Sequence, residues 1–481
     1  MQLKRKSGVL LHISSLPGEY SVGSFGKEAC EFVDLLYDSG FSYWQTLPFC
    51  MTDDCNSPYK SYASFGANPL FIDLPTLYEK GLITREELES ARQDTPYLCE
   101  YDRLREERIP LLMRAAGRCT EEEIERVRSF IEENAPLSEA ARFLALKDKN
   151  GTSEWQSFTE SEPDSDVLFG WEFIQYEFFT EWQKVKEYAN EKGIEIIGDL
   201  PIYVALDSAD VYFSPSSFLL DEKGYPTSVA GVPPDYFCED GQLWNNPLYN
   251  WKRMKTDGYL WWRRRIEFML TLFDGVRIDH FRGFESFYSI KAGAKTAKDG
   301  KWVKGPGRKF IDVIRECAGE KLIIAEDLGD ITPAVYSLLK YSNFPGMRVV
   351  QFAFLGDEKT PHLPHHFEKN CIAYTGTHDN NTLLGYVWEQ PHDVRKRIFD
   401  YFGYYGNDFS EGAREIIRGL LGSVADTVIM PIQDLLVYGS DTRMNTPGKA
   451  DGNWRYRVTK SQLSEIDRAH FRYLNSIYGR K

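Results

Sequence analysis

Eight short apolar runs, rich in β-branched residues and closed by polar residues or glycine, constrain this chain more than any other feature. They fall at about Val9–Ile13, Tyr43–Leu47, Ile194–Asp199, Phe273–Asp279, Leu322–Glu326, Met347–Phe352, Cys371–Thr377 and Thr427–Ile432. Runs of this kind, without polar alternation, read as strands buried on both faces. Helical periodicity fills most of the gaps, over Lys27–Tyr37, Glu172–Lys192, Tyr259–Leu272, Arg308–Cys317, Pro333–Lys340 and Val394–Tyr401, with a terminal helix at about Ser461–Ile477. Strands alternating with helices predict an α/β fold with a parallel sheet, and eight of them predict closure into a (β/α)8 TIM barrel.

Two connections are too long for simple barrel loops. Between the second and third runs, residues at approximately 75–170 form an inserted, mainly helical subdomain that includes TREELESARQ and LSEAARFLALKDKNG. Its charge density suits a solvated cap better than a separate activity. Between the third and fourth runs, residues at approximately 205–257 form an insertion rich in Gly, Pro, Tyr and Trp, a composition suited to a lid. One catalytic barrel is therefore expected over 1–481, carrying both insertions.

Three runs deliver a carboxylate at their C-terminal end: Asp279 after FDGVRI, Glu326 after LIIA and Asp379 after CIAYTGTH. Their separations are too long for hairpins, so separate strands bring the acids to one barrel mouth, where barrel enzymes place their chemistry. Pleating puts Phe273, Gly275, Arg277 and Asp279 on one face, so Arg277 neighbours Asp279 and favours its ionised form. That suits a nucleophile; an ordinary buried ion pair is the competing account. On the fifth run, Leu322, Ile324 and Glu326 share a face and Asp327 takes the other. Apolar walls around Glu326 would raise its pKa toward general-acid duty, whereas a place at the loop mouth would leave it an ordinary surface acid. Asp379 lies between His378 and the pair Asn380 and Asn381, a cluster equally suited to capping a helix. Two carboxylates flanking a glycosidic bond, with a third acid stabilising the distorted sugar, account for all three together.

Composition narrows the partners. A net charge of −15 argues against nucleic acid, which requires a basic surface. Aromatic residues make up 14% of the chain, with 11 Trp and 28 Tyr, and such rings match the C–H faces and hydroxyl edges of sugars where they are not core. Eight cysteines are scattered without a CxxC pair, and no window approaches a membrane span. The basic start leads through a short apolar run into a turn rather than a cleavage site, so a cytoplasmic protein is expected.

SGVLLHISSLPG, NSPYKSYASFGANPLFIDL, IIGDLPIYVALDSADVY, GVPPDYFCEDGQLWNNPLYNW, FDGVRIDHFRG, IIAEDLG, YTGTHDNNTLLG and RMNTPGKADGNWRYR carry a further reading. Together they resemble the 4-α-glucanotransferases of glycoside hydrolase family 77, the amylomaltases or disproportionating enzymes, within the α-amylase superfamily. The resemblance covers nearly the whole chain and implies Asp279 as nucleophile, Glu326 as acid/base and Asp379 as transition-state stabiliser. It implies Arg277 and His378 as holders of the donor sugar and the nucleophile, and Asp199 as a substrate-positioning acid, for which a helix-start cap is the alternative. Ser57 and Tyr59 match a segment lining the donor side. Asp235, Tyr236 and Trp244 match a lid over the acceptor side, and Asn445 matches a glucan contact. It also implies no C-terminal β-sandwich, and few residues follow the eighth run. Three positions depart from the family pattern: Lys60 stands where Gln is usual, Asn245 where Gly is common and Asn381 where Asp is usual.

The implied reaction moves α-1,4-glucan segments from maltooligosaccharides or starch to glucose or another glucan, with retention. It requires no metal and no organic cofactor, and it leaves monomer and homodimer both open. Three other readings remain. An amylase-type hydrolase shares the acids and differs in its acceptor. A metal-dependent barrel hydrolase would draw ligands from Asp279, His280, Glu326, Asp327, His378 and Asp379, but LLHISS lacks an HxH pair; HLPHH, with His362, His365 and His366, reads better as a surface loop. A non-catalytic glucan-binding protein would have no use for the full set of acids.

Overall fold

The apolar runs become strands in the computed structural model, which describes residues 5–52, 55–234, 239–356, 358–449 and 451–480. In chain order the strands among the described residues are β1 (Lys6–Leu10), β2 (Tyr43–Gln45), β3 (Glu195–Leu200), β4 (Ser228–Val232), β5 (Gln242–Pro247), β6 (Gly275–Ile278), β7 (Ser286–Lys291), β8 (Lys301–Lys304), β9 (Leu322–Ala325), β10 (Gly346–Val349), β11 (Cys371–Tyr374) and β12 (Thr427–Pro431). A closed parallel barrel runs β1-β12-β11-β10-β9-β6-β3-β2, one strand for each of the eight predicted runs. Its strands are buried on both faces, as their composition requires, with Val9, Ile196, Ile197, Val276, Ile324, Ile372 and Val428 inaccessible or nearly so. Close packing depends on Gly198: a Cβ there would lie 2.2 Å from the Phe273 ring.

Most of the strands are shorter than the apolar runs, although β3 runs to Leu200, one residue past its predicted end. β1 ends at Leu10, where the predicted run continues to Ile13; Leu11 still donates to the Gln45 carbonyl at 3.0 Å, and Ile13–Ser15 then form a 3-10 turn. Leu11 and Ile13 are buried as loop residues, so hydrophobicity does not mark the strand end. Likewise Val350–Phe352 is a 3-10 turn after β10. The three acids consequently lie just beyond β6, β9 and β11, with the Asp279 and Glu326 N–H groups still bonded to the Leu200 and Ile278 carbonyls of the neighbouring strands.

The helix before β3 is longer than its predicted core, running Ser165–Glu191 and burying Trp171, Phe173, Phe178 and Trp182. The predicted terminal helix is two, Lys460–Ser464 and Arg468–Ile477, because the Asp467 side chain accepts from the His470 N–H and starts a new N-terminus. Between β2 and β3 lie helices Leu74–Glu79, Arg85–Ser90, Tyr101–Ala116, Glu121–Glu133 and Ala135–Asn150, two of them begun by capping boxes at Thr84/Glu87 and Thr120/Glu123.

The insertion between β3 and β6 is not only a loop. β4 and β5 pair antiparallel and recruit β7 and β8, which follow the fourth barrel strand, into a sheet ordered β5-β4-β7-β8. After β12, the described residues hold helices and loops and no further sheet.

Candidate active site

Charged side chains meet at the C-terminal mouth of the barrel. Arg277, the third residue of β6, points inward and is 5% exposed. Its Nη1 donates to both oxygens of Asp199, at 2.8 and 2.7 Å, and its Nη2 donates to Asp279 Oδ1 at 3.0 Å. Burial opposes the guanidinium charge, but the two carboxylates hold its pKa well above the ordinary value. Asp199 is fully buried; burial pushes its pKa up against the pull of Arg277, and the Tyr59 hydroxyl also donates to it at 2.8 Å. It therefore braces Arg277 and Tyr59 from below rather than facing the cleft.

Past Ile278 the chain turns sharply. Asp279 donates its N–H to the Leu200 carbonyl, and His280 takes a left-handed conformation with φ of 49°. That turn aims the His280 N–H at Glu326 Oε2, 2.7 Å away. The other Glu326 oxygen accepts the Leu328 N–H at 2.7 Å. Burial, then the charge of Asp279, raise the Glu326 pKa to about 7 despite these two amides and Arg277. The surroundings of Glu326 are thus not purely apolar as its strand pattern suggests. Its neighbour Asp327 faces away, bonded to Arg348 at 2.8 Å and to the Met347 N–H at 2.6 Å.

Asp379 lies across the mouth in the turn after β11. Its pKa is lowered to about 2: burial works against this, but His378, 3.4 Å away, and the Asn445 amide, donating at 2.6 Å, prevail. In return, Asp379 holds the buried His378 above its usual pKa, against desolvation. The loop after β12 fixes this acid: Arg443 donates to the Asp379 carbonyl, and the Asn445 N–H donates to that of His378 at 3.1 Å. Asn445, expected at the glucan, thus bonds to the third acid itself. Arg443 and Trp454 escaped the sequence reading; only their places in RMNTPG and GNWRYR hint at them.

An aromatic wall completes the cleft. Tyr59 stacks on His378 with centroids 5.1 Å apart, and Trp454 lies 6.0 Å from Tyr59 and 5.8 Å from His378. Ser57 Oγ accepts the Tyr59 N–H at 3.3 Å and shapes that turn. On the opposite side, the β5 residue Trp244 sets its ring edge-on to His280, at 5.0 Å. Asp235 and Tyr236 lie outside the described residues. Among the described residues, no group of three or more His, Cys, Asp or Glu side chains gathers as a metal-binding set. His362 accepts the Val349 N–H, and His365 is bonded to Tyr401.

Two of the departures have local reasons. Asn245 has φ of 63°, a left-handed conformation that Gly adopts freely and Asn tolerates best among residues with a side chain. Asn381 donates to Glu389 at 2.8 Å and to Ser440 at 2.9 Å; an ionised Asp there would face another carboxylate.

A model of the family described as 4-alpha-glucanotransferase (glycoside hydrolase family 77) matches residues 11–463. The 4-alpha-glucanotransferase of Clostridium butyricum is 42% identical over 489 residues, covering 98% of this chain and 100% of that one. The Thermus thermophilus protein of the same name is 41% identical over 500 residues, covering 98% of each chain. Among solved structures, an amylomaltase from Streptococcus agalactiae in complex with acarbose superposes with a TM-score of 0.94 at 36% identity, covering 99% of this chain and 100% of that one. With the model spanning nearly the whole chain and relatives matched end to end, this protein belongs to the 4-alpha-glucanotransferase family, glycoside hydrolase family 77.

Proposed function

We propose that this chain moves α-1,4-glucan segments from a donor maltooligosaccharide or starch chain to the 4-hydroxyl of glucose or another glucan, by retaining double displacement. Glu326, with its pKa raised to about 7, is protonated through much of the neutral range and gives that proton to the leaving glycosidic oxygen. Asp279, held by Arg277, attacks C1 as the C1–O bond breaks, and a β-linked glucosyl-enzyme forms. The deprotonated Glu326 then takes the proton of the incoming 4-hydroxyl, whose oxygen displaces Asp279 and restores the α linkage. Asp379, kept ionised by His378 and Asn445, stabilises the cationic sugar between these states.

Tyr59 and His378 line the donor side, Asp199 acts through Arg277 and Tyr59, and Trp244 covers the acceptor. The reading rests above all on one contrast: Asp279 is bonded to a guanidinium, while its neighbour Glu326 is pushed toward the protonated form. We place the enzyme in the cytoplasm; among the described residues no helix is long and apolar enough to cross a membrane. Incubation with pure maltotriose followed by product chromatography tests the proposal. Longer oligosaccharides together with glucose are expected, and maltose plus glucose alone would mean that water is the acceptor.

A further inference from the structure

Arg282 takes no part in the reaction scheme, yet it is a buried cation close beside it. It lies in the 3-10 turn Phe281–Phe284, three residues after Asp279, and is 5% exposed. Its Nη1 donates to the Asp330 carbonyl and lies 3.5 Å from Asp330 Oδ2, while its Nε is buried without a partner. The guanidinium sits over Trp302, with Cζ 3.7 Å from the ring centroid, well within cation–π range.

These contacts join three pieces of the site. The first is the turn that carries Asp279 and delivers the His280 N–H to Glu326. The second is the loop from Glu326 to Asp330, in which Leu328 supplies the other amide to Glu326 and the Phe281 N–H bonds to the Glu326 carbonyl at 3.1 Å. The third is the small sheet: Trp302 is on β8, and β5 of the same sheet carries Trp244 against His280. The sheet thus grips the turn twice, Trp244 on the His280 ring and Trp302 on the Arg282 guanidinium.

We propose that Arg282 is a positioning residue that, with Trp302, clamps the far end of the Glu326 loop to the turn bearing Asp279, so that the Leu328 and His280 amides stay trained on Glu326. The proposal rests on the acid/base reading of Glu326 and extends it. Arg makes this clamp where Lys would not: the planar group stacks on the indole and bonds to a carbonyl at the same time. Without it the loop relaxes, Glu326 loses the Leu328 amide, and both its aim and its acidity change.

The test is steady-state kinetics with maltotriose on Arg282→Met, Arg282→Lys and Trp302→Leu, each across pH. Arg282→Met should lower kcat on the order of 10- to 100-fold with a smaller change in KM, since misaimed groups cost rate more than binding. The basic limb of its kcat/KM profile should move to higher pH, because an amide that favours the carboxylate has been lost. With α-glucosyl fluoride, whose leaving group needs little acid assistance, the deficit in glycosylation should shrink. Arg282→Lys should recover only part of the activity, and Trp302→Leu, at a partly exposed site, should shift the same quantities by less. A loss of thermal stability with kcat within twofold and the basic limb unmoved would overturn the proposal. Should Arg282→Met fail to fold, an unchanged kcat and profile in Trp302→Leu would overturn it equally. Glu326→Gln, run alongside, separates the two claims: activity with maltotriose there would remove the acid/base role itself. An inactive Glu326→Gln beside inert Arg282 and Trp302 variants would remove only the clamp.

Discussion

Two carboxyl groups beyond adjacent strands receive opposite treatment from their neighbours. Arg277 donates to Asp279 at 3.0 Å, whereas Glu326 is buried beside that same carboxylate, and two backbone amides and the more distant charge of Arg277 do not offset this. If Asp279 forms the covalent bond, Asp279→Asn should lower kcat by roughly 10⁴-fold or more, several kcal/mol in the barrier. Near-normal turnover in the verified mutant would dismiss the assignment. Glu326 makes a separate prediction through its pKa of about 7. Its protonated form is the one needed for glycosylation, and the raised pKa extends that form to higher pH than an ordinary Glu would keep it. The value of kcat/KM should therefore fall as pH rises through about 7, with the limb set by the free enzyme. In Glu326→Gln, glycosylation by α-glucosyl fluoride should show no such limb. A limb that survives there belongs to another group.

At the scale of elements, the small sheet that brings Trp244 to His280 was the part least legible in the sequence. The eight apolar runs marked the barrel because parallel strands covered on both faces have one simple composition. β5 and β8 are partly exposed and mostly polar, so GQLWNNP reads as loop, and their partner strands come from both sides of β6. Asp279 and Glu326 were visible because each immediately follows an apolar run. Arg443 and Trp454 were not, because they reach the site from long loops that carry no periodicity. Asn245 shows the limit from another side: its left-handed φ of 63° gives an Asn its reason only once the backbone is known. The functional test of the sheet is Trp244. Its ring lies 5.0 Å from His280 and 6.1 Å from Tyr203, so it is fixed at the edge of the cleft. An ordered sugar competes with abundant water only if it is held against the intermediate. Trp244→Ala should raise the ratio of hydrolysis to transfer and weaken acceptor saturation while glycosylation continues. A constant ratio with only lower thermal stability would make Trp244 a packing residue.

For the molecule as a whole, the barrel must be latched where its ends meet. β1 and β12 pair from Lys6↔Thr427 to Leu10↔Pro431, joining the first and last barrel strands over the longest loop closure of any strand pair among the described residues. Beneath that seam sits Arg480, wholly buried and, among the described residues, in no ion pair with a carboxylate. Its guanidinium donates to the carbonyls of Lys6, Leu421, Ser423, Ala425 and Asp426, at 2.7 to 3.3 Å. Arg5 adds bonds to the Leu421, Ala425 and Tyr478 carbonyls. One planar cation thus ties the start of β1 to the turn that feeds β12, at the end of the barrel opposite the acids. Arg480→Met keeps most of the apolar stem and removes every donor. The Leu421 and Ala425 carbonyls still accept from Arg5 and that of Asp426 from the Lys6 N–H, so the loss falls chiefly on the others, about 1–3 kcal/mol for each left unpaired, less whatever water can enter to satisfy it. The variant should therefore unfold at a clearly lower temperature and denaturant concentration, while kcat with maltotriose at 25 °C stays near that of the parent. Arg480→Lys, with three donors in place of the fork, should fall between the two. If Arg480→Met unfolds where the parent does, strand pairing alone holds the seam and the buried guanidinium contributes nothing to closure.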